Sequence, residues 1–238
     1  MASKISVRRD GKVAVLQLDD GKANTFELTT FQEMLAHLDT IAASDAGALL
    51  LTGRPGSFSA GLDLRQLPVL GAERLPLLIQ EFARVMLRVF GFPRPVVAAV
   101  TGHAMGAGAI LALAADVRFQ ADGAFRFAMN EVQIGMTVPT FGCEIARASV
   151  PPQVHADLVL HGKTFAPAEL LARQMVEGVV GADQVFSAAM ARAQGLADIQ
   201  SQPYAATKQL MRGAALAHAA SVLVPESFEL VKPFIAPA

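Results

Sequence analysis

Apolar and polar residues alternate from Ile5 to Arg9 and again from Val13 to Leu18, on either side of Asp10-Gly11. Period-two alternation around an Asp-Gly pair predicts an antiparallel hairpin. Past the turn Asp19–Lys22 the period lengthens. Leu28, Phe31, Met34, Leu35 and Leu38 share one face of a helix predicted over residues 27–43. Ala48–Thr52 and Val96–Val100 are short apolar runs bounded by turn residues, which predicts buried strands. Between them, Leu75, Leu78, Ile79, Phe82, Val85, Met86 and Val89 mark a helix over 72–90. Short strands are predicted over 117–120, 124–127 and 178–180. Helices are predicted over 141–149, 153–160, 183–200 and 203–219, and one more after Thr164, read as an N-cap ahead of Pro167 and Glu169. Strands dominate the first half and helices the last third.

Two loops follow the buried strands. After Val96–Val100 stands Thr101-Gly102-His103-Ala104-Met105-Gly106-Ala107-Gly108, then an Ala- and Leu-rich run, which predicts a strand, a tight loop and a buried helix. Glycines admit close approach of a ligand to the backbone, and a helix start leaves N–H groups unpaired and favourable to an oxygen carrying negative charge. The loop lacks the glycine spacing of a dinucleotide site, the Lys of a P-loop and the Ser of a nucleophile elbow. Taken alone it also fits a helix–sheet packing contact. After Ala48–Thr52 comes Ser59-Ala60-Gly61-Leu62-Asp63. Two strand ends side by side can offer two backbone N–H groups to one carbonyl oxygen, an oxyanion hole built without side chains.

Composition narrows the classes. The 238 residues are 53% hydrophobic and 17% charged, enough for one large domain or a domain with an appendage. The boundaries expected are a core over 1–180 and a helical region over 181–238. A net charge of −1 without a basic patch argues against nucleic acid and anionic membranes. The N-terminus has no apolar signal core, and no uncharged run reaches a membrane span. One cysteine, Cys143, excludes an internal disulfide and suits a reducing, cytoplasmic setting. The five His show no metal-ligand spacing.

Phe58-Ser59-Ala60-Gly61-Leu62-Asp63-Leu64, followed by Gly102-His103-Ala104-Met105-Gly106-Ala107-Gly108, resembles the paired signature of the crotonase superfamily, also called the enoyl-CoA hydratase/isomerase family. The resemblance spans the chain from the first hairpin to the helix near Ala219. It implies an α/β fold, a spiral of strand–strand–helix units with a helical C-terminal trimerisation region. It implies acyl-CoA thioesters as ligands, with coenzyme A part of the substrate and no separate cofactor or metal. The expected assembly is a homotrimer or a dimer of trimers. By the same match the amides of Leu62 and Ala107 hold the thioester oxygen. Ser59, Ala60 and Asp63 lie by the adenine and ribose, Lys22 and Ala23 near the pantetheine or phosphates, and Gly106 in the oxyanion loop. Asp63 equally suits a helix N-cap, and Lys22 a solvated turn. His103 reads as a packing or loop-bonding residue, Asp116 as a buried, hydrogen-bonded one. Leu67, Val69, Phe82, Met86 and Phe141 are candidates for a tail pocket or for plain core.

Hydratases of the family carry two glutamates. Matched residue by residue, the first falls on Ile110, which transfers no proton, and the second on Glu131. One carboxylate suffices to take a proton from C2 of a 3-enoyl thioester and return it at C4. Asn130-Glu131-Val132-Gln133-Ile134-Gly135 is similar to the Asn-Glu-x-Gln-Leu-Gly stretch of the mitochondrial Δ3,Δ2-enoyl-CoA isomerases, where that glutamate is the sole base. The resemblance therefore implies an enoyl-CoA isomerase. Another acyl-CoA reaction, hydration among them, and a non-catalytic acyl-CoA-binding protein are the alternatives.

Overall fold

The computed structural model describes residues 3–235; Met1, Ala2 and residues 236–238, at the outer ends of the two expected regions, lie outside the described residues. The hairpin forms as predicted: β1 (Ile5–Asp10) pairs antiparallel with β2 (Val13–Leu18). The two-residue β3 (Thr25–Phe26) leads into α1 (Leu28–Ala43). From there a unit repeats: one strand joins a large sheet, a shorter one joins a small sheet, and a helix returns. The second turn is β4 (Ala48–Thr52), β5 (Gly56–Ser59), β6 (Gly61–Leu62) and α2 (Leu67–Phe90). The third is β7 (Val96–Val100), β8 (Gly102–Met105) and α3 (Ala107–Ala114). The fourth is β9 (Val117–Ala121), β10 (Phe127–Ala128), a 3-10 turn at Glu131–Ile134 and α4 (Thr140–Ser149). Then come α5 (Pro167–Ala172), β11 (Gly178–Val180), α6 (Val185–Leu196) and α7 (Ser201–Val231).

The large sheet runs β1-β2-β4-β7-β9-β11, and every pairing after the hairpin is parallel. The small sheets are β10-β8-β5 and β3-β6, both parallel. The central strands are covered on both faces. Leu49, Leu51, Val96, Ala98 and Val100 point into the main core with α1, α2 and α3. Ala48, Leu50, Val97 and Ala99 point the other way, onto Val185, Ala189 and Ala193 of α6. Burial on both faces is why these strands read as apolar runs rather than as alternation.

Four expectations need correction. The glycine segment is not one loop: Gly102–Met105 is a strand, because β5 and β10 flank it and take up its backbone hydrogen bonds. The cap of α5 is Ala166, not Thr164; the Glu169 carboxylate accepts the Ala166 amide at 3.1 Å and satisfies that end. Residues 153–160 form a short 3-10 turn and a π-helical turn rather than an α-helix. The last helix continues past Ala219 to Val231, through Pro225. Proline lacks the N–H that a helix interior uses, so side contacts must offset the loss. Gln80 of α2 donates to Ser227 Oγ at 3.0 Å, and Glu226 accepts from the start of α4. With the turn after it, α7 is long and apolar enough to cross a membrane by length and composition. Here it lies along α2 and α4, tied through Lys208, Arg212 and Glu226.

Candidate active site

Successive turns of the spiral bring the same corner of the chain to one place. The corner follows β6 in the second turn, β8 in the third and β10 in the fourth. Leu62, Ala107 and Glu131 stand at these corners and line a single cavity. The stacking is built from backbone. β5, β8 and β10 are hydrogen-bonded neighbours, and the Gly106 amide donates to Ala128 O at 2.8 Å.

Two glycines make the close approach. Gly61 has φ +86°, and a Cβ there would sit 2.6 Å from Met105 O and 3.2 Å from the Ala107 amide nitrogen. Only a residue without a Cβ lets β6 lie against the start of α3. Gly106 has φ +51° and is the residue before α3. Its carbonyl accepts the first helical bond, from Ile110 at 3.0 Å, so the Ala107 amide precedes the bonded ladder. Just past β6 the Asp63 amide donates toward β3, to Phe26 O at 3.0 Å. Successive amides of an extended strand point to opposite sides, so the Leu62 amide is directed away from β3.

Glu131 faces the same hollow. A Cβ on Gly106 would lie 3.5 Å from Glu131 Oε1 and 3.7 Å from Asn130 Oδ1. The Glu131 side chain is buried, its Oε2 has no hydrogen-bond partner, and no cation pairs with it among the described residues. Leu62, Leu67, Leu75, Ile79, Phe82 and Met105 supply the apolar lining. Burial in these surroundings raises the carboxyl from its ordinary 4.5 to about 7. Gln133 holds the glutamate's 3-10 turn by donating to His161 O at 2.9 Å, and Gly135 closes it with φ +77°.

A second hollow opens beside the first and shares Ala60 and Met105 with it. Lys22, Ala23, Ser57, His103 and Arg126 surround it, giving a cationic mouth. His103 Nδ1 accepts the Arg126 amide at 3.2 Å, a loop-bonding role. The turn carrying Lys22 and Ala23 is stitched on by Asn24, which is buried at φ +55° and donates to Leu18 O, Ser57 O and Phe58 O.

Three expected site residues stand elsewhere. Ser59 is fully buried, and its hydroxyl donates to Asn24 O at 2.6 Å and accepts the Gly61 amide at 3.1 Å, so it shapes the loop. Asp63 caps the 3-10 turn Leu64–Gln66 through the Arg65 amide and pairs with the Arg65 guanidinium, outside both hollows. The Arg65 hydrogen bonds hold its carboxyl below the usual range. Ile110 is buried in the core and lines neither hollow. Among the tail candidates, Leu67 and Phe82 line the cavity, Met86 and Phe141 are core, and Val69 is 73% exposed.

Sequence reading missed Met136, Thr137 and Pro139, and above all Leu230, Val231 and Phe234 at the end of α7 and just beyond it. Nothing in the local pattern joins residue 231 to residue 62. The one signal is a cluster of apolar residues past Pro225, where a helix pattern ought to have stopped.

Comparison with known proteins agrees with this geometry. The family profile described as enoyl-CoA hydratase/isomerase matches residues 8–228. A probable enoyl-CoA hydratase of Mycobacterium tuberculosis is 31% identical over 201 residues, covering 84% of this chain and 77% of its own. A putative enoyl-CoA hydratase of Thermus thermophilus is 33% identical over 207 residues, with 84% and 81% covered. Among solved structures, human mitochondrial Δ3,Δ2-enoyl-CoA isomerase superposes with a TM-score of 0.92 at 25% identity, covering 97% of this chain and 92% of its own. An enoyl-CoA isomerase of M. tuberculosis superposes with a TM-score of 0.86 at 30% identity, covering 98% and 99%. The spiral fold, the paired glycine corners and these matches together place the chain in the enoyl-CoA hydratase/isomerase family, the crotonase superfamily.

Proposed function

We propose that the protein is an enoyl-CoA isomerase that moves a double bond from position 3 to position 2 of its acyl chain. One observation carries the reading: Glu131 is the one carboxylate lining the cavity among the described residues, while Ile110, onto which the family match puts the other glutamate, is buried. Ionised Glu131 takes a proton from C2. The C–H electron pair moves into the conjugated system and leaves negative charge on the thioester oxygen. The amides of Leu62 and Ala107 hold that oxygen, each contributing about 3 kcal/mol in the transition state. The same carboxyl returns its proton at C4, and the double bond is left between C2 and C3. Water takes no part. Lys22 and Arg126 at the cationic mouth suit the phosphates of coenzyme A.

The buried carboxyl with an unpartnered oxygen supports a catalytic rather than a merely binding role, because an unneeded acid there would only cost stability. Exposed apolar residues along α7, Leu210 at 87% and Met211 at 79% among them, support a homotrimer or dimer of trimers.

The test is conversion of 3-enoyl-CoA to 2-enoyl-CoA by the wild type and by Glu131→Gln. Loss of turnover in the variant is expected; equal rates reject the mechanism. The names of the bacterial relatives favour a second reading, hydration. With 2-enoyl-CoA in 18O-labelled water a hydratase gives labelled 3-hydroxyacyl-CoA, whereas an isomerase incorporates no label.

A further inference from the structure

Three hollows lie in a row. The cationic mouth shares Ala60 and Met105 with the reaction chamber. At its other end the chamber shares Met136, Thr137, Leu230 and Phe234 with a further hollow bordered by Glu226, Glu229 and Pro233. The mouth and this outer hollow share no residue. A thioester held at Leu62 and Ala107, with its coenzyme A in the mouth, therefore has its acyl tail directed at the partition made by these four side chains.

We infer that Phe234, the bulkiest member of this partition, sets the maximum length of the acyl tail. The inference rests on the acyl-CoA reading above and deepens it by naming the residue that selects the substrate. The chamber lining near the partition is apolar, so each methylene that fits is withdrawn from water. A methylene that would cross the partition has to displace an aromatic ring that is itself packed against the core. The ring is placed by the chain's own turn. Pro233 stops the helix, and Lys232–Phe234 coil as a 3-10 turn that brings Phe234 back onto the chamber. Beyond the partition Glu226, with no cation among the described residues, borders the outer hollow next to Glu229, which pairs with Lys232. A tail ending in a carboxylate would meet like charge there, so the fitting class is an unsubstituted hydrocarbon tail.

The experiment measures affinity for saturated acyl-CoAs of increasing even chain length, by calorimetry, for the wild type, Phe234→Ala and Phe234→Leu. Saturated ligands need no turnover, so the result stands whether or not the isomerase reading does. In the wild type, Kd should tighten by about fourfold per buried methylene and then stop improving at one tail length. In Phe234→Ala that break should move out by at least two carbons, with Phe234→Leu between. ω-Carboxyacyl-CoAs of the longer lengths should bind Phe234→Ala at least tenfold more weakly than the plain acyl-CoAs. A break at the same length in all three proteins, or no break in the wild type, overturns the inference. Absence of binding by every acyl-CoA would overturn the acyl-CoA reading itself. A matching profile of kcat/KM against 3-enoyl-CoA length ties the break to the reaction.

Discussion

Strand β7 has an acid near each end, Asp116 partly buried and Glu131 buried, and the two are treated in opposite ways. At its start, Asp116 accepts the Val96 amide at 2.7 Å, the Tyr204 hydroxyl at 2.9 Å and Lys208 Nζ at 2.7 Å, all on Oδ2. Arg212 reaches Oδ1 at 3.0 Å. Past its other end, across the β8 corner, Glu131 has an orphaned oxygen and, among the described residues, no cation. Both are carboxylates withdrawn from most of the solvent, and the partners decide their chemistry. Asp116 is a fixed charge that pins α7 to the sheet. Glu131, the proposed base, is held near neutrality because burial outweighs a single backbone hydrogen bond and no cation among the described residues favours its ionised form. The end proposed as reactive is the carboxyl end of the parallel strands, where open α/β sheets place their ligands.

The sharpest way to break this contrast is Glu131→Gln. Removing the general base should lower turnover by roughly 10²–10⁴-fold, read as initial rate on 3-enoyl-CoA. Folding should respond with the opposite sign. A carboxyl whose folded value is raised from 4.5 to about 7 keeps a proton that the unfolded chain has released. Its stability contribution is complete below pH 4.5 and is lost as pH rises to about 7, a loss on the order of 3 kcal/mol. Glu131→Gln should therefore be more stable than the wild type at pH 8 by up to that amount, and the advantage should vanish near pH 4.5. Urea midpoints at the two pH values check this. An inactive variant with no gain at pH 8 would mean that the carboxyl is not desolvated.

Asp116→Ala tests the other pole. It strands the Lys208 ammonium, already pulled down to about 8 by burial, together with Arg212 and the Val96 amide. Removing one partner from a buried charge cluster costs about 3–5 kcal/mol. Thermal unfolding should register a clear fall in midpoint, while the protein that remains folded keeps its rate. Loss of rate without loss of stability would erase the distinction between the two acids.

How far each acid was legible follows from the range of its partners. Glu131 stood out because its motif is local and because Ile110 occupies the position of the family's other acid. The Asp63 cap and the Ser59 loop bonds are also local, yet the resemblance drew those residues to the ligand, while their hydrogen bonds turn them inward. The strands Ala48–Thr52 and Val96–Val100 were readable to the residue because two-sided burial demands an unbroken apolar run. The roof of the chamber was not readable. Leu230, Val231 and Phe234 reach it because α7 is docked by Asp116, Ser227 and Glu226, long-range pairings that no window of sequence contains.

A third effect is milder and concerns pH alone. If ionised Glu131 is the base, kcat/KM should rise tenfold per pH unit below about 7 and level off above it. Between pH 7, where half the carboxyl is ionised, and pH 5 the fall should be about fiftyfold. A profile that levels off near the ordinary carboxyl value of 4.5 would place the working base in water and not in the chamber.

The smallest effect lies between the poles. Glu226 is half-buried, and its Oε1 accepts the Thr140 amide at 2.9 Å and the Thr140 hydroxyl at 2.6 Å, with no cation among the described residues. It caps the start of α4 from a neighbouring helix, where a negative charge meets the positive end of the helix dipole. Thr140 follows Pro139, a lining residue of the chamber, so the bond also fastens the roof to the wall. Glu226→Ala should cost about 1 kcal/mol in a urea titration, less than Asp116→Ala because no cation is stranded. Amide exchange should quicken at the C-terminal end of α7 while the sheet is unchanged. The three acids then form a series: side-chain and backbone hydrogen bonds with cations at Asp116, hydrogen bonds without a cation at Glu226, and at Glu131 an orphaned oxygen with no cation among the described residues. Stability lost on removal should follow that order and reverse sign at Glu131. If Glu226→Ala matched Asp116→Ala, cation pairing would not be what separates the structural acid from the reactive one.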